Sequence, residues 1–578
     1  MAGMVAQVYP VLHCMTSWNS GTVTRNIGEY VSQVRVIGML SQPDAFASAG
    51  LLVGRLVANA TFLRALTQFG TLDAIHFFIG ESSEQKQMEA IQRAYGGDVE
   101  IRVSNLIDFP QALERGSLDV VHFNELNVRM PTVMHLRNRF AKKTLPVTGQ
   151  IHSLSYPSSM QTYQHLIHGN PAPYDAIFCS TVAGRDVVMN CVTDLQDRLR
   201  RRGGADAPLS CALPVVPLGI DTASLQRGNR GQARTALGIP QDAFVFLSIG
   251  RFTEYDKMDL FPVVQAFASV RHRLPPSAPV YLVLAGASQG TKTAQMVALW
   301  AKALKVGPWL KMKVDFEDTE KPGLLAAADA FVSMTDNPQE TYGLTVVEAM
   351  GAGLPVIVSD FNGYKDTVQD GVGIRVTTRW NTEMDYLSDL APLLYERPLH
   401  LFLGQSVEID LPELERAMET LYHDSALRHS MGAAALKRAK SKYDWPVVIE
   451  QYLSHWNQLM QLPRLKESGS LNVMRMSYRG AFSHYPTEWA DMGRFLVRSD
   501  WSRDVAGDKN LYPVFTELRL LFSNQDVIDT LRCAEQPIQR GTLQHKITKG
   551  DQESAHWRAG MLIAWLIKHG LLVDVEKH

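Results

Sequence analysis

The sequence predicts two doubly wound α/β lobes facing one another across a cleft, followed by a mainly helical C-terminal extension. Three observations carry this expectation. Short, β-branched apolar runs alternate with helical patterns from Val34 onward. The alternation restarts after a linker near Asp221 to Arg230 and runs to the strand at Pro355 to Ser359. Buried strands separated by helices indicate a parallel sheet covered on both faces.

Val34 to Leu40 (VRVIGML) opens the first lobe as a strand and ends in a polar loop reaching Gly50. Leu52, Leu56, Phe62 and Leu66 recur at near-helical spacing, which predicts a helix from Leu51 to about Phe69. Ala74 to Ile79, Val99 to Val103, Asp119 to Phe123, Pro146 to Ile151 and Asp175 to Cys179 continue the strand series, and Pro214 to Pro217 closes it. Arg198 to Gly204 (RLRRRGG) is expected to be a mobile surface loop. In the second lobe, Phe244 to Ile249 is a strand, Phe261 to Val270 its helix, and Val280 to Ala285 the next strand. Ala330 to Met334 and Pro355 to Ser359 supply two more. Ligands of such sheets bind beyond the carboxyl ends of the strands. Two facing lobes therefore make a deep cleft suited to an enzyme that holds two substrates.

A chain of 578 residues implies several domains, and 46% hydrophobic with 20% charged residues is an ordinary globular composition. The formal net charge of -2 gives no electrostatic argument for nucleic acid or an acidic membrane as a partner. The five cysteines (Cys14, Cys179, Cys191, Cys211, Cys533) are odd in number and widely spaced. They read as reduced thiols rather than a disulfide framework or a zinc site. No apolar run of about 18 residues marks a membrane span, and the first thirty residues lack a secretory pattern. The expected compartment is the cytoplasm.

The most informative segment is Gln339 to Ser359, QETYGLTVVEAMGAGLPVIVS. Gly343 to Met350 reads as a helix, ended by Gly351 and Gly353, with Pro355 opening a strand. Glu340 then lies in the loop before the helix, and Glu348 about two turns within it. Free amides around Gly343, Leu344 and Thr345, together with the helix dipole, would favour a diphosphate. One carboxylate can accept hydrogen bonds from ribose hydroxyls and the other from sugar hydroxyls.

This segment resembles the signature of the family-four retaining glycosyltransferases of the GT-B fold, and the resemblance spans roughly Val34 to Leu459. It implies Rossmann-like lobes at residues 1–225 (acceptor side) and 226–442 (nucleotide-sugar donor side). It also implies a crossover helix at 443–462 returning to brace the first lobe, with 463–578 left as the extension. Ser248 to Lys257 (SIGRFTEYDK) resembles the family's G-R-x(5)-K element, which implies that Arg251 and Lys257 grip the donor diphosphate. Cations there would offset the charge of the departing nucleotide diphosphate. Val216 to Asp221 (VPLGID) resembles the linker, while DVVH at Asp119 to His122 and Ser180 resemble first-lobe strand ends. His152 matches the histidine placed against the donor sugar, and Gly50 the glycine loop that closes on the diphosphate, although Ala49 replaces the usual adjacent glycine. The loop after Ser359 (DFNGYKD) departs from the pattern. Asp360, Asn362 and Tyr364 either alter sugar or acceptor choice or simply form a turn.

The resemblance implies retention of configuration through a front-face displacement from a nucleotide-diphosphate hexose. Glu340 and His152 are the expected catalytic groups, and Arg251, Lys257, Tyr342, Gly343, Leu344, Thr345, Glu348 and Gly50 the donor-binding set. No metal or other cofactor is implied. The acidic run Asp315 to Asp318 reads as a strand end with solvated charges rather than a metal diad. The acceptor could be a saccharide, a lipid or a protein. In the extension, helical patterns at Val514 to Cys533, Thr542 to His545 and His556 to Lys568 precede a short strand, Leu571 to Val575. That order resembles a winged helix, but balanced charge and the lack of a basic stripe favour a protein partner or self-association over nucleic acid. The alternative reading is a degenerate sugar-nucleotide-binding module that acts through this extension.

Overall fold

The computed structural model describes residues 33–40, 54–80, 97–169, 171–204, 209–226, 228–288, 290–465, 475–500, 502, 515–550 and 552–575. Gly50 lies outside the described residues.

The first lobe is a six-stranded sheet of β1 (Val36–Leu40), β2 (Ala74–Ile79), β3 (Glu100–Asn105), β4 (Val120–Phe123), β5 (Val147–Gln150) and β6 (Ala176–Phe178). Its order is β3-β2-β1-β4-β5-β6, and every pairing is parallel. The second sheet uses β7 (Phe244–Ile249), β8 (Val280–Gly286), β9 (Leu310–Val314), β10 (Ala330–Ser333), β11 (Val356–Ser359) and β12 (Gly373–Val376). Its order, β12-β11-β10-β7-β8-β9, repeats that topology, again all parallel. The order of each sheet reverses between two strands, β1 and β4 in one lobe and β7 and β10 in the other. Those two points are where doubly wound folds bind ligands.

Helices that position the site are α1 (Gly54–Phe69), α2 (Phe109–Arg115), α3 (Met130–Phe140), α4 (Val182–Arg201), α5 (Lys321–Ala327), α6 (Leu344–Gly351), α7 (Glu396–Gln405) and α8 (Trp445–Gln461). Two corrections to the sequence reading follow. Arg198, Arg200 and Arg201 form the last turn of α4 rather than a loop, because Arg198 pairs with Asp194 (2.9 Å) and Arg200 with Asp197 (2.7 Å) along the helix. Residues 214–217 form no strand of their own; Val215 makes only an isolated bridge to Cys179.

Helix α8 lies on the first lobe, burying Trp445, Val448, Ile449, Tyr452 and Trp456 against Phe62, Leu63 and Leu66 of α1. Trp456 Nε1 donates to Thr148 Oγ1 (3.2 Å), and Asn457 Oδ1 accepts from the Val34 amide (2.8 Å). Gly219 of the linker is obligatory here, since a Cβ would fall 2.2 Å from the Trp445 ring.

The extension builds β15 (Phe495–Arg498), β16 (Ile538–Gln539) and β17 (Leu572–Asp574) into an antiparallel sheet ordered β16-β15-β17; β13 (Thr378–Trp380) and β14 (Val407–Ile409) form a separate ribbon in the second lobe. Helices α9 (Asn524–Cys533), α10 (Arg540–Ile547) and α11 (Glu553–Lys568) cover the extension's core. Glu553 pairs with Arg139 of α3 at 2.6 Å, and Arg558 with Asp108, which docks the extension on the first lobe. Among the described residues, no helix is long and apolar enough to cross a membrane.

The amino ends of the strands are locked by aspartates. Asp175 is fully buried and accepts both guanidinium arms of Arg137 at 2.8 Å, together with the Val147 and Ala172 amides. A buried charge that loses its partner is costly, whereas removal of both charges is tolerated. The Asp175→Ala variant is expected to lose about 3–5 kcal/mol in urea-induced unfolding. The double change Arg137→Met with Asp175→Leu should recover most of that loss.

Candidate active site

The second-lobe switch point gathers the predicted cations and carboxylates. Lys257, in the loop after β7, places Nζ 2.6 Å from Glu340 Oε2, in the loop after β10. The other oxygen, Oε1, accepts from the Gly343 amide (2.8 Å) and the Tyr342 amide (3.3 Å). Glu340 therefore caps α6 and binds Lys257 with one carboxylate. Burial pulls the Lys257 ammonium down, but the charge and hydrogen bond of Glu340, together with Tyr364, outweigh it and hold the group above its ordinary value. Burial pushes Glu340 up, and Lys257 with the two amides outweighs it, so the carboxyl lies below its ordinary range.

Gly343 adopts φ +89°, a left-handed conformation that glycine alone enters freely. A Cβ there would also sit 2.1 Å from the Tyr364 ring, whose hydroxyl bonds Ser333 Oγ at 2.8 Å. The helix begins one residue later than the sequence indicated, at Leu344. The Gly343 amide is taken by Glu340, which corrects the expectation that it is free for a diphosphate. The Leu344 and Thr345 amides make no hydrogen bond among the described residues, as the first turn of a helix leaves them.

Tyr342 is a second correction. Its ring is buried in the second-lobe core and its hydroxyl donates to the Leu218 carbonyl (2.6 Å), so only its backbone is near the site. Arg251, also after β7, pairs with Asp256 through Oδ2 (2.6 Å) and the backbone oxygen (3.1 Å). Glu348 accepts from Lys321 of α5 at 3.0 Å, a partner that nothing in the sequence pointed to.

From the facing lobe, His152 follows β5. Its Nε2 lies 2.7 Å from the Asn124 carbonyl and 3.1 Å from Asn59 Oδ1, which assigns the ring proton to Nε2. A small pocket beside it is lined by Asn59, Asn124, Gln150, His152, Trp445 and Tyr452, among others. His122, by contrast, is a core residue. It packs against Phe62, Tyr452 and Trp456, and burial, with His152 nearby, drops its pKa to about 3.

The lobes touch across the cleft. Thr341 Oγ1 donates to the His152 carbonyl and Thr181 Oγ1 to the Thr341 carbonyl, both at 2.8 Å. The Ala183 amide donates to Asp366 (2.9 Å), and His400 of α7 meets Ser155 Oγ (2.9 Å). Gln339 Nε2 also donates to the Tyr156 hydroxyl across the cleft. Tyr156 and His400 carry no motif spacing by which the sequence could have shown them.

Several buried polar atoms on these loops have no hydrogen-bond partner: Asn124 Oδ1, Asp256 Oδ1, Asp336 Oδ1, Gln339 Oε1, Thr345 Oγ1 and Asn362 Nδ2. Each follows the carboxyl end of β4, β7, β10 or β11, or starts α6. An unpaired buried polar atom costs about 1–3 kcal/mol, and native proteins rarely leave many together. Other such atoms are scattered through the chain, but those on these loops are available to a ligand in the cleft. Asn362 also holds φ +45°, with its Oδ1 accepting from the Tyr364 amide (3.2 Å), so the DFNGYKD loop forms a turn with a left-handed residue within it.

The Gly343→Ala variant combines a strained φ with a steric clash, and is expected to lose about 1–3 kcal/mol in thermal unfolding along with the site's ligand affinity. Asp336 gives a pH test. Burial pushes its carboxyl up to about 7, against 3.8 in the unfolded chain. Between those values the folded state holds the extra proton, so stability falls as pH rises through that window. Asp336→Asn removes this dependence, and its Tm relative to the native protein should be higher at pH 8 than at pH 5.

Residues 229–390 match the family described as glycosyl transferases group 1. A D-inositol 3-phosphate glycosyltransferase of Actinosynnema mirum is 34% identical over 194 residues, 32% of this chain and 44% of that protein. Its counterpart from Geodermatophilus obscurus is 29% identical over 39% of this chain and 49% of that protein. The chain thus spans less than half the length of these curated relatives. Among solved structures, a glycosyltransferase from Rickettsia africae superposes with TM-score 0.51 at 12% identity, over 74% of this chain and 99% of that one. Anabaena HepE in complex with UDP gives 0.50 at 15% identity, over 73% and 98%. The chain is therefore built on the GT-B fold, and residues 229–390, within its second lobe, match glycosyl transferases group 1.

Proposed function

We propose that this protein is a retaining glycosyltransferase that moves a hexosyl group from a nucleotide-diphosphate sugar to an acceptor hydroxyl. The observation that carries this reading is the set of unpaired buried polar atoms around the start of α6, with two cations, Arg251 and Lys257, beside them. The names of the curated relatives and the UDP bound to HepE support a nucleotide-sugar donor.

In this reading the diphosphate lies against the free Leu344 and Thr345 amides, and Arg251 exchanges Asp256 for a phosphate oxygen. Lys257 remains with Glu340 and adds its charge to the leaving group. Glu340 has three of its roughly four acceptor positions filled by Lys257 and two amides, which leaves room for one sugar hydroxyl. Glu348 takes the ribose. The acceptor oxygen bonds to the anomeric carbon on the face from which the diphosphate departs. The breaking C–O bond gives its electron pair to the diphosphate, and the acceptor's proton passes to the departing phosphate oxygen. Fixed donors aimed at this charge act without reorganising. No cofactor beyond the nucleotide sugar enters this scheme. The acceptor is a saccharide, a lipid or a protein, and the extension serves a protein partner or self-association. The cytoplasm is the proposed compartment, in keeping with the unpaired Cys179, Cys191, Cys211 and Cys533.

The test is a thermal-shift series with UDP-, GDP- and ADP-sugars on the native protein and on Arg251→Ala. Binding to the folded state alone adds about 2.7 kcal/mol at a hundredfold excess over Kd. A shift with one donor, lost in the variant, is the expected result, and Arg251→Ala or Lys257→Ala should then cost about a hundredfold or more in turnover. Folded protein that shifts with none of these donors overturns the reading.

A further inference from the structure

We propose that Lys321 is a positioning residue for the nucleotide ribose, acting through Glu348; this rests on the donor-site reading above. Glu348 lies three residues after Thr345 on α6, so the two share a helix face. Thr345 Oγ1 is one of the unpaired buried atoms, which identifies that face as the one toward the ligand.

Lys321 is the first residue of α5. Its Nζ lies 3.0 Å from Glu348 Oε1 and 3.4 Å from Asp318 Oδ1. The Lys321 and Glu348 side chains are only 15% and 12% exposed, whereas Asp318 is 51% exposed. The Lys321–Glu348 pair is thus largely removed from water, unlike an ordinary surface ion pair, which contributes little. With Oε1 occupied, Oε2 makes no hydrogen bond among the described residues. A fixed carboxylate oxygen with free lone pairs suits a pair of vicinal hydroxyls.

The position of Lys321 is itself constrained from behind. The linker residue Gly228 approaches so closely that a Cβ would fall 1.9 Å from the Pro322 carbonyl. Arg230 adds a hydrogen bond to the Ala328 carbonyl at 2.9 Å, just past the end of α5. Linker, α5, Lys321 and Glu348 form one rigid series. Lysine at 321 therefore determines which Glu348 oxygen faces the ribose.

The probe is the nucleoside diphosphate, among UDP, GDP and ADP, that binds the native protein most tightly, together with its 2′-deoxy counterpart. Calorimetric Kd values are measured for native protein, Lys321→Met and Lys321→Arg. Lys321→Met should weaken the ribonucleotide about tenfold, the size of one lost charge-assisted hydrogen bond. The deoxynucleotide should change less than about twofold on the same scale. Lys321→Arg, which keeps the charge, should restore most of the ribose preference. If Lys321→Met does not fold, Lys321→Gln is read in the same way. Equal weakening of both nucleotides, or no change in either, overturns the proposal while leaving donor binding intact. Absence of binding by any of the three diphosphates to native protein overturns the donor-site reading, and the proposal with it.

Discussion

The second lobe is organised around the Glu340 carboxylate. It ties the loop after β7 to the loop after β10 at the point where the sheet order reverses, because it accepts from Lys257 on one side and from the start of α6 on the other. The helix can be capped in this way only because Gly343 is left-handed, and Gly343 can be left-handed there only because no side chain competes with the Tyr364 ring. Tyr364 is held in turn by Ser333 at the end of β10. Thr341, next to Glu340, carries the order across the cleft through its bonds with His152 and Thr181. One buried ion pair thus sets the helix start, the loop behind it and the approach of the opposite lobe. Buried pairs of this kind contribute geometry more than net stability.

The signature around Glu340 was readable because its chemistry is local. Glycines that end a helix, an apolar strand and two carboxylates eight positions apart occupy one continuous segment, so spacing alone carries the arrangement. The inner strands were readable for a similar reason. Strands buried on both faces give unbroken apolar runs such as FVFLSI and VIVS. The edge strand β12 (GIRV) escaped notice, and β9 (LKMKV) was legible only as a strand end at Asp315, because half-exposed edges carry lysine, arginine and glycine. The arginines from Arg198 to Arg201 read as a loop from their charge, yet i,i+3 and i,i+4 aspartate partners let them complete a helix.

Side-chain direction was the least legible property. Tyr342 lies inside the signature, and only the fold shows that its hydroxyl turns away to the Leu218 carbonyl. Arg251 was found by its motif, while its pairing with Asp256 depends on how a short loop closes. Lys321 is 27 positions from Glu348 and joined to it by no periodicity, so its role appears only once α5 is packed on the linker. Sequence spacing specifies what shares an element; packing specifies what meets between elements.

The two ends of each sheet divide the work of the fold. At the amino ends, Asp119, Asp175 and Asp329 each immediately precede a strand, and each accepts the amide of a residue at the start of a neighbouring strand: Val36, Val147 and Val245. Their remaining acceptor capacity goes to Lys143, to Arg137, and to Arg230 with Arg234. The charges of these three aspartates are thus matched within the chain. At the carboxyl ends the loops carry buried oxygens and nitrogens with no partner, and cations held by acidic neighbours. A sheet that is satisfied at one end can tolerate that deficit at the other, since the cost of a few unpaired groups is borne by the locked strands beneath them. The same asymmetry in both lobes turns the two incomplete edges toward one cleft. A ligand that bridges them would supply the missing partners on both sides at once.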